Sequence, residues 1–533
     1  MTQFNAPVKD ILFSLEHVAC AGDLPDWDGE LAGEIVQHFT SFAEAEIAPT
    51  DAAGDAQGCR IENGRVRMPD GFGAAYRQLA DQGWQGLCAP EEHGGQGMNS
   101  AVGAAVSEVF SGANHSLQMV TGLVPGAVRT LLDFGDAAQQ AHYIPLLTSG
   151  AWLSTMCLTE SGAGSDLSAI RTRAVDGPDG WRVEGEKIFI SGGDQDLSDG
   201  ILHLVLARTG DAGSGVRGLS LFLCPSQSEG GDRNAITVER IEEKMGLHAS
   251  PTCQVVFSNA KAELLGELGC GLKAMFTMMN HARLDVALQG VAHAARATEI
   301  SRSYAAERVQ GRGADGASVT IDKHPAVARM IDEQDALTLG ARALCHIALV
   351  ALEKGDDVAL VDFLTPICKA FATDAGIRAA DSAIQVLGGY GYLTEYCADQ
   401  NYRDARITAI YEGTNEIHAI TLASRLLRHN GGAAADAFER FVETEAAQGD
   451  AALTACLPNW KRAREVVVAS EAPAALADDF MKLTSQVAYL TAWSRIGRAA
   501  EKSDDPQRLK QLHKHVSRQS SAMVHYHFEL IAG

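Results

Sequence analysis

The sequence predicts an α+β fold in which helical and strand-rich segments succeed one another along the chain. Three observations predict it. Apolar residues recur at helical spacing from about 31 to 153, as in Leu117, Val120 and Leu123, then Tyr143, Leu146 and Leu147. From about 154 to 264 short β-type runs take over, at 201–206, 219–223 and 254–257, broken by clusters of Gly, Asp, Ser and Pro. Helical periodicity then returns, with Leu272, Met275, Phe276 and Met279 at i, i+3, i+4 and i+7. Helices segregated from sheet in this way form the α+β layout. The chain is thereby divided into an N-terminal helical domain at 31–153, a middle β domain at 154–264 and a helical bundle at 265–430.

Each end adds a segment. Residues 1–30 read as an N-terminal extension with one amphipathic patch, Ile11, Leu12 and Leu15. Gly431 and Gly432, followed by three alanines, read as a linker into an Ala-rich helical extension at 431–533 that carries no chemical motif. The Met-rich stripe of the bundle reads as core, because thioethers fill irregular gaps. Helical spacing scatters His513, His515, His525 and His527 and supplies no matched carboxylates, so no metal is expected there.

At 533 residues and 46% hydrophobic, the chain is long enough to bury several cores. Its 68 acidic against 44 basic residues, net −24, speak against nucleic acid or an anionic membrane as the main partner. Eleven cysteines without a CxxC pair read as reduced packing thiols rather than a disulfide framework or zinc site. No apolar run approaches the ~20 residues of a membrane span. The N-terminus is neither signal-like nor Arg-rich, so a cytoplasmic protein is expected.

Two motifs carry chemistry. Residues 409–424 read AIYEGTNEIHAITLAS, placing Glu412 between an aromatic ring and a glycine just before an apolar-periodic run. A carboxylate desolvated at a helix entrance has a raised pKa and suits general-base work. Gly413 permits close approach of a ligand to backbone, and the Thr414 hydroxyl can bond helix N–H groups or a cofactor. In isolation the same run also reads as a capping sequence with a surface glutamate. Residues 156–166, MCLTESGAGSD, are a strand-like stretch entering a turn of glycines and small hydroxyl residues, which suits an oxygen-rich ligand. Neither G-x-x-x-x-G-K-[ST] nor G-x-G-x-x-G is present there.

Together, in this order, the two runs resemble the acyl-CoA dehydrogenase flavoproteins. The resemblance extends through PEEHGGQG at 90–97, GEKIFISG at 185–192, KMGLHASPT at 244–252, Arg283, QVLGGYGY at 385–392 and Arg403-Asp404-Ala405. It covers about residues 30–430. With the C-terminal extension, the chain is most similar to the longer members, including those acting on 3-methylmercaptopropionyl-CoA. The resemblance implies a β-barrel-like middle domain and a catalytic base at Glu412. That base would take the α-proton of an acyl-CoA while a hydride passes to flavin N5, leaving the trans-2-enoyl-CoA. The enolate would be held by a ribityl hydroxyl and the Glu412 backbone N–H.

FAD contacts are implied for Leu158, Thr159, Gly164, Ser165, Phe189 and Ser191. Arg308, Gln310, Gln385, Gly388 and Gly389 match positions reaching the FAD of a neighbouring subunit, and Thr414 and Glu416 match its adenosine-pyrophosphate side. Substrate contacts are implied for Ser165, Asn280, Arg283, Glu412 and Gly413. Electron-transfer flavoprotein is the implied partner, in a homo-oligomer for which the extension favours a dimer.

The chain departs from the family pattern at four places. Ser161 stands where proline is common, Phe189 and Ser191 replace Trp and Thr, residues 309–312 lack the phenylalanine of K-x-F-G, and Glu416 replaces a frequent glutamine. Two other readings stay open beside the dehydrogenase. One is a relative with different chemistry, an oxygen-using acyl-CoA oxidase or a desulfinase, of which the retained Glu412 disfavours a base-free desulfinase. The other is a non-catalytic flavoprotein of the alkylation-response branch, which the mixed charge of 430–533 disfavours.

Overall fold

The structure, a computed structural model, describes residues 4–228 and 230–533; the first three residues of the expected N-terminal extension lie outside the described residues. The chain divides into two compact units. One comprises Ala45–Met98 and Ala113–Ala282, the other the residues up to Glu44, Asn99–Gly112 and Arg283–Gly533. The helix Ser100–Thr121 contributes to both and is broken at Asn114, whose backbone is extended.

The first unit is built on a seven-stranded sheet: β1 Trp152–Cys157, β2 Arg173–Gly177, β3 Gly180–Ser191, β4 Gly200–Arg208, β5 Leu219–Pro225, β6 Ile236–Ile241 and β7 Thr252–Leu265. Antiparallel pairing runs from β4 through β5, β7 and β3 to β2, and β2 returns to β4 at Arg173↔Arg208. The sheet thus closes on itself as a small barrel, which removes most of its edges. β1 adds in parallel to β4, and β6 adds to β7. Val183, Ile190, Val205, Phe222, Val255 and Phe257 fill the interior. β4 is apolar except for His203 and its terminal Arg208 and is buried along all but that last residue, the mark of a strand covered on both faces.

One feature of the expected helical region is not helical. Residues Arg60–Glu62 and Arg65–Arg67 form a hairpin turned at Asn63 and Gly64, both at positive φ. Asn-Gly is the pair that a tight two-residue hairpin favours. The Asp194 carboxylate, just past β3, accepts from the Arg65 guanidinium and from Val66 N–H at 2.9 Å, tying the hairpin down.

The second unit is a helical bundle. Its long helices Pro325–Lys354, Val358–Leu387 and Ala477–Ala499 pack on one another, with Pro506–Ala532 against the last. Gly271–Glu307 and Val358–Leu387 cross glycine against glycine: a Cβ on Gly290 would lie 2.4 Å from the Ala372 carbonyl oxygen, and one on Gly376 2.5 Å from that of Gly290. Near the N-terminus, Ile11 and Leu15 are fully buried, and Ser14 Oγ meets His346 Nδ1 at 2.9 Å.

The expected linker at 431–435 is not one. Asn430, Gly431 and Gly432 take successive left-handed conformations that turn the chain sharply, and Ala433 already begins the helix Ala433–Ala446. The C-terminal helices then supply Trp460 and Trp493, both fully buried, to the bundle core. Trp493 Nε1 donates to the Ala336 carbonyl, and the Tyr489 ring packs at a 40° tilt against Phe371, with centroids 4.7 Å apart.

One described helix, Pro325–Lys354, has the length and mean hydropathy (1.5) of a membrane span, which the sequence reading passed over; 83% of its apolar window is buried inside the protein. At its middle the buried Arg342 donates to the buried Glu108 carboxylate at 2.7 Å. Replacing Arg342 by Met would leave that carboxylate buried and unpaired. The expected cost is about 3–5 kcal/mol, read as a lower urea midpoint at unchanged slope. Adding Glu108→Gln should recover part of the loss.

Candidate active site

Glu412 lies in the turn between the helices Ala398–Ile407 and Asn415–Ile420. Glu412 (φ 54°) and Gly413 (φ 87°) are consecutive left-handed residues, a conformation costly for glutamate and natural for glycine. Position 413 also admits no side chain freely, since a Cβ there would lie 3.1 Å from His418 Nε2. Both carbonyls of the turn are held. His418 Nε2 donates to the Glu412 carbonyl at 3.0 Å, and Lys369 Nζ donates to the Gly413 carbonyl at 2.7 Å. Lys369 also donates to Asn415 Oδ1 at 3.0 Å, Thr414 Oγ1 accepts from Ile417 N–H, and the Tyr411 hydroxyl donates to Gln289 Oε1.

The Glu412 side chain keeps part of its surface at the solvent boundary, but its Oε2 atom is fully covered and has no hydrogen-bond partner. Desolvation therefore raises its pKa to about 7, against the pull of the Arg283 and Lys369 cations and with the Asp285 carboxylate adding to the rise. Burial pushes the Lys369 ammonium down to about 7, and the His418 imidazole down to about 3, so the ring is neutral and keeps its proton on Nε2.

In the β unit, the predicted flavin residues cluster around the ends of β1 and β3. Lys187 donates to the Leu158 carbonyl at 2.9 Å and Ile188 N–H to the Thr159 carbonyl at 2.9 Å, locking the start of the Gly-rich loop to β3. Glu160 pairs with Lys187 at 2.8 Å and accepts from the N–H groups of Arg171 and Thr172. Burial favours its protonation, but Lys187 and these donors outweigh it and hold the carboxyl below its ordinary range. Gly164 and Ser165 lie exposed in the loop, and nothing stands within 4 Å of a Cβ on Gly162 or Gly164. The β3–β7 register slips between Lys187 and Ile190, and Phe189 sits in that bulge at φ 59° with 61% of its surface exposed. An aromatic ring held outward by a strained bulge offers a face for stacking. Ser191 ends the same strand.

In the helical unit, Arg308, Gln310, Gly388 and Gly389 line one open concavity of about 540 Å³ with Tyr304 and Tyr390. The Arg308 guanidinium lies over the Tyr390 ring, 5.3 Å from its centroid. Gln385 is exposed one turn before Gly388 and does not line it. Thr414 and Glu416 stay with the Glu412 turn, Glu416 exposed, and Arg283 is brought close to Glu412. Asn280, on the same helix as Arg283, is exposed.

Lys369, His418 and Gln289 were not anticipated from sequence. A signal existed for Lys369, the lone charge in the apolar stretch 363–373, FLTPICKAFAT. His418 lay inside the quoted motif but reads there as one more helix residue. Gln289 carried no signal.

Comparison with known proteins agrees with this architecture. Residues 30–151, 155–260 and 269–427 match the acyl-CoA dehydrogenase N-terminal, middle and C-terminal domains. The chain belongs to the acyl-CoA dehydrogenase family: it is an oxidoreductase and a flavoprotein with FAD as cofactor. It is 42% identical over 476 residues to the 3-methylmercaptopropionyl-CoA dehydrogenase of Ruegeria pomeroyi, covering 84% of this chain and 81% of that one. It is 32% identical over 490 residues to the broad-specificity linear acyl-CoA dehydrogenase FadE5 of Mycobacterium tuberculosis, covering 84% and 80%. An acyl-CoA dehydrogenase from Bacillus anthracis, solved with FAD, has the same fold, with a TM-score of 0.78 at 22% identity over 95% of this chain and 89% of the other.

The residues present suit a flavin dinucleotide. In the β unit the open Gly-rich loop offers backbone donors and the outward ring of Phe189 a stacking face; in the helical unit the Arg308 concavity by itself offers a cation for a phosphate group.

Proposed function

We propose that the enzyme removes hydrogen from the α and β carbons of an acyl-CoA thioester to give the trans-2-enoyl-CoA, with Glu412 as the base that takes the α-proton. The observation that carries this reading is the covered, partnerless Oε2 of Glu412, with a pKa raised to about 7. A carboxylate poised near the working pH combines a useful ionised fraction with real proton affinity. Arg283 and Lys369 keep enough positive charge nearby for that fraction to exist. The Glu412 backbone N–H is assigned to the thioester oxygen, where enolate charge gathers. Bound FAD supplies the two-electron acceptor. Leu158, Thr159, Gly164, Ser165, Phe189 and Ser191 are assigned to it, Thr414 and Glu416 to an adenosine-pyrophosphate side, and Arg308, Gln310, Gln385, Gly388 and Gly389 to the FAD of a neighbouring subunit. Ser165, Asn280, Arg283 and Gly413 are assigned to substrate, with Glu412.

The substrate proposed is 3-methylmercaptopropionyl-CoA or another short- to medium-chain acyl-CoA, supported by the identity to the Ruegeria enzyme. Electron-transfer flavoprotein is the proposed acceptor, and a cytoplasmic homodimer the proposed state. The test is anaerobic bleaching of the bound flavin by a panel of acyl-CoAs, followed by turnover with an artificial acceptor. Yellow protein bleached by one of them is expected, and the bleaching rate should rise with pH through a midpoint near 7, since only the ionised Glu412 accepts the proton. Protein that cannot be reconstituted with FAD sinks the assignment. Steady consumption of oxygen without added acceptor would instead mark an oxidase.

A further inference from the structure

Two buried side chains converge on the turn that carries Glu412. We propose that Lys369 is a positioning residue for the base, its ammonium clamping the Gly413 carbonyl while His418 clamps that of Glu412, so that the left-handed turn holds and a positive charge stands beside the carboxylate. This inference rests on the reading of Glu412 as the base.

The geometry is specific. Lys369 is fully buried on the helix Val358–Leu387, an expensive place for a lysine unless its hydrogen bonds are satisfied. Its head group donates to two polar atoms of this turn, the Gly413 carbonyl at 2.7 Å and Asn415 Oδ1 at 3.0 Å. Asn415 is oriented for this by its own amide, which donates to Thr373 Oγ1 at 3.1 Å and to the Ala370 carbonyl at 3.3 Å. The lysine and both groups that orient its acceptor lie within 369–373, a little over one helical turn, so the turn is gripped by one face of a rigid element. His418 reaches back along its own helix, its Nε2 3.0 Å from the Glu412 carbonyl oxygen. Two consecutive residues at φ 54° and 87° are thereby held by donors to both of their carbonyl groups. Strain of this kind persists only where its surroundings over-determine it.

The charge matters as well as the hydrogen bonds. Facing Lys369 are the Glu412 and Glu416 carboxylates and the Arg283 guanidinium, with neutral His418 adjoining; facing Glu412 are Arg283, Lys369 and Asp285. Removing the ammonium therefore removes one of two cations that favour ionised Glu412, and the base should titrate higher. Arginine at 369 keeps the charge.

The test uses the FAD-loaded enzyme as wild type, Lys369→Met and Lys369→Arg. Amide exchange over 408–420 is measured without substrate, and the pH dependence of flavin bleaching with 3-methylmercaptopropionyl-CoA and with butanoyl-CoA. Lys369→Met is expected to speed exchange across 411–417 by roughly tenfold or more, as local opening becomes cheaper. It should also move the bleaching midpoint up by about one pH unit, a tenfold change in the ionisation constant. Lys369→Arg should keep the midpoint close to wild type. Faster exchange with an unmoved midpoint marks a merely structural lysine and overturns the proposal. A moved midpoint with unchanged exchange overturns the clamp, and an equal shift in the Arg variant overturns the role of charge. If Glu412→Gln bleaches at the wild-type rate, the base reading falls, while the exchange comparison still decides the clamp.

Discussion

Glu412→Gln is expected to bind FAD as wild type does and to lose flavin reduction by acyl-CoA roughly 10²- to 10⁴-fold, the usual worth of a positioned base. The substitution keeps shape and volume and removes the proton-accepting charge. Its amide would take the place of the covered Oε2, which has no hydrogen-bond partner to lose, so folding should be little disturbed. Stopped-flow bleaching at pH 8, above the raised pKa of about 7, gives the clearest contrast because wild-type Glu412 is then mostly ionised. Reduction at near wild-type rate would mean that the proton goes elsewhere. Glu160 is then a poor substitute, being committed to Lys187 and two backbone N–H groups, whereas Glu395 and Glu416 are exposed.

Deleting residues 431–533 is expected to abolish stable folding of the helical unit rather than trim an appendage. Trp460, Trp493, Phe480 and Leu490 are fully buried, and Phe363 and Phe371 of the remaining bundle pack on removed rings. Gly340 lacks a side chain because Tyr489 and Trp493 occupy that space, 2.2 and 2.5 Å from where a Cβ would stand. Losing several large aromatic contacts, each worth about 3–5 kcal/mol on truncation to alanine, exceeds the roughly 5–15 kcal/mol stability of ordinary domains. The measurement is soluble yield, flavin content and a cooperative thermal transition. A truncated chain that stays soluble, yellow and active would show the extension to be dispensable.

How far the site could be read in advance varied residue by residue, and the reasons are physical. Glu412 stood out because a carboxylate between Tyr and Gly before an apolar run is a local pattern. Gly413 followed from the same run, and its φ of 87° fits the freedom glycine supplies. The Asn63-Gly64 hairpin was missed, although that pair between β-prone residues is a strong local signal, because the helical periodicity on either side masked it. Phe189 was placed by motif, but its outward bulge depends on a register slip against β7, a partner about 65 residues on.

By itself the sequence determined the order of helix, sheet and helix, the family, and the candidate for the base, because all three are written in patterns a few residues to a few turns long. Tertiary structure alone decided what Glu412 experiences. Its pKa depends on Oε2 being covered and on Arg283 and Lys369, 129 and 43 residues earlier, arriving beside it. It also decided that 431–533 completes the bundle, since an Ala-rich helical pattern reveals a buried face but not which distant helix will cover it. Desolvation and long-range packing are properties of neighbours in space, and those neighbours are set only when the chain closes on itself.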